Sequence, residues 1–277
     1  MNAFLVLILV LSYFVWIKCI YRRHRRCFAK SVKYLRNSLL STAKSSLESR
    51  ADGADIRALI VAAHPDDECM FFAPTILNLV ELKACVHLLC LSQGNYYNQG
   101  AERKKELVNS CAVLGIPASR VTIVDHKNLP DDPNVEWRIP LTSSLIMNHL
   151  RAHSFNMVLT FDGRGVSGHP NHIAIHKAVR HLTFTGQVPD DCCILSLVTV
   201  GLLRKYLSFL ELPLSWLLPS RFCCIVGLDG YRRAKEAMLC HRTQLLWFRH
   251  LYIFFSRYMF VNTFQMIPQG PKNLKIY

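Results

Sequence analysis

The sequence predicts an α/β fold: a Rossmann-like, mainly parallel sheet with helices on both faces, preceded by a single N-terminal transmembrane helix. From Arg57 onward, short apolar runs alternate with stretches of helical length, which is the pattern of a parallel sheet covered on both faces. Met1–Ile17 contains no charged side chain, as expected of a membrane span. Of the 277 residues, 51% are hydrophobic, so the chain can bury a core and extensive disorder is excluded.

The first predicted element is a membrane anchor over residues 1–21. Lys18 is the only charged residue in this segment, and a helix of this length spans ~30 Å, the thickness of the hydrocarbon core. The alternative is a cleaved signal peptide, which requires a basic start and small residues at a cleavage site. Met1-Asn2-Ala3 has no basic side chain and arginines follow Tyr21 directly, so an uncleaved anchor is favoured.

A basic juxtamembrane linker is predicted over residues 22–55, followed by the catalytic domain over 56–277. Most of the net charge of +14 lies in and just before this linker, where ten Lys and Arg accompany one acid, Glu48, between Lys18 and Arg50. The positive-inside rule then places the linker and the domain in the cytosol. No RNA-binding or zinc-finger signature accompanies the charge, so no nucleic-acid partner is expected. The 11 cysteines include no CxxC pair, which indicates reduced thiols in a cytosolic domain.

Within the domain, five apolar runs are predicted as buried strands: Ala58–Ala63, Cys85–Leu91, Val121–Asp125, Met157–Phe161 and Cys192–Val200. Four helices are predicted between them: Met70–Val80, Ala101–Leu114, Leu141–Ala152 and Asn171–Leu182. Parallel sheets bind ligands beyond the carboxyl ends of their strands. The candidate loops are therefore His64–Glu68, Ser92–Asn95, Asp125–His126 and Asp162–His172. The first loop lacks GxGxxG, so no dinucleotide fingerprint is present.

The first of these loops reads His64-Pro65-Asp66-Asp67-Glu68. Three adjacent carboxylates repel one another unless a cation neutralises them, and histidine and carboxylate are ordinary zinc ligands. A solvated turn that starts a helix is an equally good interpretation of this loop alone, because Asp is a common N-cap.

The second loop favours the metal interpretation. Asp162 ends a strand, and a glycine-rich stretch leads to His169 and His172, three residues apart at the start of a helix. Together the two loops offer metal ligands plus spare acid–base groups, as hydrolytic zinc chemistry requires.

The pairing of Ala63-His64-Pro65-Asp66-Asp67-Glu68 with Gly168-His169-Pro170-Asn171-His172 resembles the zinc-dependent de-N-acetylase superfamily. The longer string from Gly165 to His172 and the run from His241 to Arg249 resemble its eukaryotic branch, as does the N-terminal anchor. That branch deacetylates N-acetylglucosaminyl-phosphatidylinositol (GlcNAc-PI) in glycosylphosphatidylinositol (GPI) anchor synthesis at the cytosolic face of the endoplasmic reticulum. The resemblance covers about residues 57–265.

The resemblance implies a role for each matching residue. It assigns His64, Asp67 and His172 as ligands of Zn²⁺, with another divalent metal as the alternative. Asp66 matches the general base, and His169 matches the histidine that assists the oxyanion and the leaving amine. Asn171 departs from many bacterial relatives, which have Asp there.

Two residues keep two interpretations each. Arg103 is expected to bind the phosphate or sugar of the substrate, with a surface pair to Glu106 as an equal alternative. Glu68 either supports the metal site or is a helix N-terminal charge.

By this resemblance the protein is a single-pass membrane enzyme of the endoplasmic reticulum, with its catalytic domain in the cytosol. Its substrate is N-acetylglucosamine linked to phosphatidylinositol. Other GPI-synthesis enzymes are candidate partners. The alternatives are deacetylation of a soluble N-acetylglucosamine conjugate and a catalytically silent membrane-anchored scaffold. The aromatic stretch Leu245–Phe260 is either an interfacial helix or a helix buried against the sheet, and burial is favoured.

Overall fold

The computed structural model describes residues 3–40 and 56–270. In this part of the chain there are seven strands: β1 (Arg57–Ala62), β2 (Cys85–Cys90), β3 (Val121–Ile123), β4 (Met157–Phe161), β5 (Cys193–Leu197), β6 (Phe222–Ile225) and β7 (Val261–Met266). The helices there are α1 (Ala3–Leu40), α2 (Asp67–Phe71), α3 (Ala73–Glu81), α4 (Gly100–Leu114), α5 (Ile139–Ala152), α6 (Gly165–Gly168), α7 (Pro170–Phe184), α8 (Leu202–Lys205), α9 (Leu212–Leu217), α10 (Leu228–Cys240) and α11 (Trp247–Phe255).

The seven strands form one sheet in the order β3-β2-β1-β4-β5-β7-β6. Strands β1 to β5 are parallel, and β7 runs antiparallel to both β5 and β6. The predicted Rossmann-like, mainly parallel sheet is therefore confirmed. The chain leaves β1 in one direction across the sheet to β2 and β3, and β4 and β5 lie on the other side. The crevice between the ends of β1 and β4 is the point where ligands bind in such sheets.

Helices cover both faces of the sheet, as predicted. Along β1, Ala58, Ile60 and Ala62 enter one core with side chains from α2, α3, α4 and α10. Their neighbours Leu59 and Val61 point to the opposite face, where the core includes side chains from α5 and α7. This alternation follows from the two-residue period of a strand whose two faces are both buried.

The predicted helix Met70–Val80 is two helices, α2 and α3, which meet at Phe72. Pro74 lies in the first turn of α3. A proline has no backbone N–H and fits the start of a helix but not its interior, so the chain breaks here. The other predicted helices and strands occur at their expected places with small shifts at the ends.

Helix α1 continues past Tyr21 to Leu40, so residues 22–40 of the predicted linker are helical. Ile20, His24, Phe28 and Val32 recur every four residues and are buried, since this stripe packs on the domain at β6 and α9. Ala3–Tyr34 is long and apolar enough to cross a membrane. The rest of the predicted linker, residues 41–55, lies outside the described residues, and the predicted division into anchor, linker and domain stays a prediction.

Candidate active site

A pocket of about 820 Å³ opens at the carboxyl ends of the parallel strands. All six residues predicted for the site line this pocket: His64, Asp66, Asp67, Arg103, His169 and His172. The loop after β1 and the loop after β4 thus meet as the strand-end rule predicts.

The loop between β1 and α2 is a tight turn that fixes Asp67. Asp66 adopts a left-handed backbone with φ 117°, which turns the chain sharply after the strand. Asp67 Oδ2 accepts hydrogen bonds from the backbone N–H groups of Ala63 (2.8 Å) and His64 (2.9 Å). Its other oxygen, Oδ1, lies 3.1 Å from His172 Nε2.

His172 is held in one orientation on α7. Its ring stacks on Phe161 at 3.9 Å between centroids, and its Nδ1 lies 3.0 Å from the carbonyl of Gly165. Gly165 has φ +58°, and a Cβ there would lie 2.9 Å from the Cβ of His172, so this position requires glycine. With Nδ1–H donated to the carbonyl, Nε2 is left with a lone pair. Nε2 is buried and lacks a hydrogen-bond partner, despite its closeness to Asp67.

The three histidines form a cluster suited to a metal ion. One ligand atom from each of His64, His169 and His172 lies within 4.8 Å of the other two. Together with Asp67, they offer the nitrogen and oxygen donors that zinc prefers. The buried Nε2 of His172 makes no hydrogen bond and has a lone pair to offer, so these residues fit a divalent cation.

Asp66 is buried beside two arginines. Its Oδ2 lies 3.0 Å from Arg249 and 4.0 Å from Arg103. Burial raises the pKa of Asp66, while the two guanidinium groups oppose the rise. Arg249 is a site residue that the sequence reasoning missed, although it ends the C-terminal run that resembles the family.

Asp131 is the second missed residue. It lies in the long loop after β3, where its Oδ1 is 3.0 Å from His64 Nε2 and its Oδ2 is 2.8 Å from Arg103. The sequence analysis pointed to Asp125–His126 instead, because these residues directly follow the strand. Asp125 is bonded to Gln93 and paired with Lys104, and it is not among the residues that line the pocket.

Arg103 is buried at the base of the pocket, and both of its Nη atoms are hydrogen-bonded. Its two Nη atoms donate to the carbonyls of Gly94 (3.0 Å) and Pro65 (2.7 Å) and to Asp131 (2.8 Å). The alternative of a surface pair with Glu106 is wrong, since both side chains are buried and Glu106 accepts hydrogen bonds from Thr243 instead. Arg103 therefore ties the first loop to Asp131.

Glu68 lies beneath the first loop and is fully buried. It pairs with His241 at 2.7 Å, accepts a hydrogen bond from Ser110, and accepts the backbone N–H of Asp66 at 3.1 Å. Burial lowers the pKa of His241, but the Glu68 carboxylate outweighs this and raises it. Burial likewise raises the pKa of Glu68, and His241 reverses the direction and lowers it. Glu68 thus supports the first loop from below. Its partner His241 is the first residue of the run His241–Arg249 that resembles the family, so this contact gives that residue a structural role.

We expect Glu68→Gln to destabilise the fold by about 3 kcal/mol, because it removes one charge of a buried pair. The pair stabilises most between the ordinary pKa values, 4.5 for Glu and 6.5 for His. The His241 contribution is lost as pH rises through its raised pKa, and the Glu68 contribution is lost as pH falls through its lowered pKa. Thermal unfolding of the full chain in detergent from pH 4 to 9 measures this difference.

The matched control is Glu136→Gln, which removes an exposed carboxylate paired with Lys177. Exposed pairs of this kind contribute little, so this variant should unfold like the unaltered chain. Equal unfolding temperatures for the two variants at every pH would contradict the role given to Glu68.

The fold and the site define a Rossmann-like α/β protein with a histidine–carboxylate centre at the switch point of its sheet. Residues 59–183 match the profile of the GlcNAc-PI de-N-acetylase (PIG-L) family, a range that includes both histidine loops. The chain is 50% identical over 215 residues to N-acetylglucosaminyl-phosphatidylinositol de-N-acetylase of Bos taurus, covering 78% of this chain and 85% of the relative. A probable enzyme of the same name from Schizosaccharomyces pombe is 35% identical over 231 residues, covering 80% and 91%. The chain belongs to the GlcNAc-PI de-N-acetylase family.

Solved structures share the fold at low sequence identity. N,N'-diacetylchitobiose deacetylase from Pyrococcus horikoshii superposes with a TM-score of 0.57 at 17% identity, covering 85% of this chain and 91% of that one. A 4-carboxy-2-hydroxymuconate hydratase, GalB from Pseudomonas putida, gives 0.52 at 15% identity, covering 79% and 99%. A deacetylase and a hydratase therefore share this fold, and the function has to be argued from the site.

Proposed function

We propose that this chain is a hydrolase that removes the acetyl group of GlcNAc-PI in GPI-anchor biosynthesis, giving glucosaminyl-phosphatidylinositol and acetate. The observation that carries the proposal is the convergence of the two histidine loops on one pocket, where Asp66 lines the wall and Asp67 lies 3.1 Å from the buried Nε2 of His172. Membership of the family supplies the substrate.

We assign His64, Asp67 and His172 as the residues that hold the metal, with zinc as the expected ion and another divalent metal as the alternative. When bound, the metal polarises the acetyl carbonyl and makes a water more acidic. The carboxylate of Asp67 is oriented by two backbone N–H groups, and His172 is oriented by Gly165. Such supporting contacts fix the orientation of the ligand side chains before a metal binds.

Asp66 acts as the general base. It takes a proton from the water that attacks the acetyl carbon, and the carbon–nitrogen bond then breaks to release acetate. Arg249 and Arg103 favour the ionised form of Asp66, which offsets the effect of burial. The departing amine receives a proton from Asp66 or His169, so that charges balance at the end of the reaction.

His169 assists the oxyanion and the leaving amine. Its Nδ1 accepts the backbone N–H of Asn171 at 3.3 Å at the start of α7. This leaves the proton of a neutral ring on Nε2, where it is available as a donor toward the pocket.

Arg103 contributes to the substrate site by holding Asp131, whose carboxylate lines the pocket.

The test is acetate release by the purified full chain in lipid discs. We expect acetate from GlcNAc-PI, its loss on addition of a chelator, and its recovery on adding Zn²⁺. Faster release from a soluble N-acetylglucosamine conjugate than from GlcNAc-PI would favour the soluble-substrate alternative. No acetate from either substrate with metal present would favour a silent scaffold.

For location we propose the endoplasmic reticulum membrane, with α1 as the anchor, the domain in the cytosol, and other GPI-synthesis enzymes as partners. The arginines that follow Tyr21 support this orientation. Protease added outside sealed microsomes should digest the catalytic domain and leave a short protected fragment containing the start of α1. Protection of the whole domain until detergent is added would reverse the proposed orientation.

A further inference from the structure

The domain exposes a large apolar surface beside the pocket. Five of its side chains are 65–86% exposed: Leu202, Leu203, Leu217, Trp247 and Phe254. We call the full set the apolar collar: Leu202, Leu203, Tyr206, Leu207, Leu210, Leu214, Leu217, Leu218, Leu246, Trp247, Phe248, Leu251, Phe254 and Phe255. The favoured burial of the aromatic stretch is wrong for most of α11, in which Tyr252 and Ile253 are the buried residues. An exposed apolar surface of this size marks an interaction site.

The apolar collar is continuous with helix α1. The Tyr13 hydroxyl donates to the carbonyl of Leu210, and the ring of Phe14 lies 6.2 Å from that of Phe209. Phe209 and Leu210 belong to the 3-10 helix Ser208–Glu211, which is also bonded to the end of α11, since Ser208 Oγ donates to the carbonyl of Phe254 at 2.9 Å. The anchor and the apolar collar therefore form one surface, and the exposed apolar residues of α1 extend beyond it.

The apolar collar also borders the pocket that holds the candidate metal centre. Tyr206, Trp247, Phe248, Leu251 and Phe255 belong to both the collar and the pocket wall. Whatever covers the collar is consequently next to the entrance of the active site.

The charges around the apolar collar are basic. Its helical segments carry Arg204, Lys205, Arg249 and His250, of which Arg204 pairs with Glu211 and Arg249 pairs with Asp66. Glu211 is the only acid in residues 202–218, it is buried, and it is paired with Arg204 and Arg257. Residues 246–258 contain no acid. Apolar side chains with a basic rim and no exposed acid are typical of surfaces that enter the headgroup layer of a membrane.

We propose that the apolar collar is seated in the same lipid leaflet that α1 enters, which places the pocket entrance in the headgroup layer. A bilayer is the occupant that fits, because α1 is long and apolar enough to span one and its Tyr13 contacts Leu210 of the collar, so a membrane entered by α1 lies directly beside the collar. This inference rests on the proposed function. With the collar in the leaflet, the sugar headgroup of GlcNAc-PI can reach Asp66 and His169 while its acyl chains stay in the lipid.

Fluorescence quenching by brominated lipids tests the seating without any use of activity. The full chain is placed in discs of ordinary or brominated phosphatidylcholine, and its Trp emission is compared with that of Trp247→Phe. The chain has three other tryptophans, Trp16, Trp137 and Trp216, which remain in both proteins. We expect the bromine-dependent loss of emission to be clearly larger in the unaltered chain. Equal losses would place Trp247 outside the lipid and overturn the proposal.

A kinetic comparison gives a second readout. Leu203→Glu and Phe254→Glu place a charge in the apolar collar, and neither residue lines the pocket. Phe184→Glu is the matched control, because Phe184 is 61% exposed at the end of α7, outside the collar. We expect the two collar variants to lose about tenfold in kcat/KM on GlcNAc-PI in the bilayer and to keep their activity on an acyl-free headgroup analogue.

Equal loss on both substrates, or the same loss in Phe184→Glu, would contradict the proposal. If the unaltered chain turns over neither substrate, the proposed function fails while the quenching result still decides the seating.

Discussion

Asp66→Asn is expected to lower turnover of GlcNAc-PI by roughly 10²–10⁴, the usual contribution of general acid–base catalysis. Asparagine has the shape of aspartate but cannot accept the proton of the attacking water. It also tolerates the left-handed backbone that Asp66 adopts, with φ 117°, so the turn after β1 should survive. Acetate release gives kcat, and mass spectrometry of the same preparation gives metal content, which should be unchanged. Full activity in this variant would show that another group is the base.

Arg249→Gln is the companion variant for Asp66. The guanidinium of Arg249 lies 3.0 Å from Asp66 and lowers its pKa against the effect of burial. Without that cation the pKa of Asp66 rises, so the base becomes protonated at a higher pH. The acidic limb of the kcat profile should therefore move to higher pH in Arg249→Gln. Asp66→Asn should lower activity across the whole range.

The central sheet could be predicted from the sequence because its strands are short, apolar and separated by helices. β1, β2 and β4 are mostly buried on both faces, which produces mainly apolar runs, and their carboxyl ends mark the site. The antiparallel strands β6 and β7 were not predicted. β6 is only four residues long and lies at the end of the mostly apolar stretch Leu207–Val226, whose helices and strand share the same apolar composition.

Asp131 and Arg249 could not be predicted because their neighbours are distant in sequence. Arg249 contacts Asp66 across 183 positions, and Asp131 approaches His64 from a loop that strand periodicity cannot orient. The packing of α1 escaped prediction for a different reason. Its buried stripe is interrupted by arginines and lysines on the exposed face, and these made the segment resemble a linker.

The two histidines of the second loop should differ in what their removal takes away. His172→Ala is expected to lose both bound metal and activity, because His172 is buried and its unpartnered Nε2 lies 3.1 Å from Asp67. His169→Ala is expected to keep near-stoichiometric metal and lose roughly 10²–10⁴ in kcat, since the role proposed for His169 is exercised in the transition state. His169 is only half-buried and caps α7 through its Nδ1, which agrees with a role toward the substrate.

The histidine cluster makes this experiment decisive, because His169 also has a ligand atom within 4.8 Å of His64 and His172. Metal content and kinetics are measured on the same preparations of the full chain, with His250→Ala as a control for loss of an exposed histidine that does not line the pocket. If His169→Ala loses the metal while His172→Ala retains it, the two roles are exchanged. If both variants lose it, His169 is also a metal ligand, and the role given to it toward the oxyanion and the leaving amine is wrong. If His64→Ala, His169→Ala and His172→Ala all retained the metal, the metal would not be bound in this pocket.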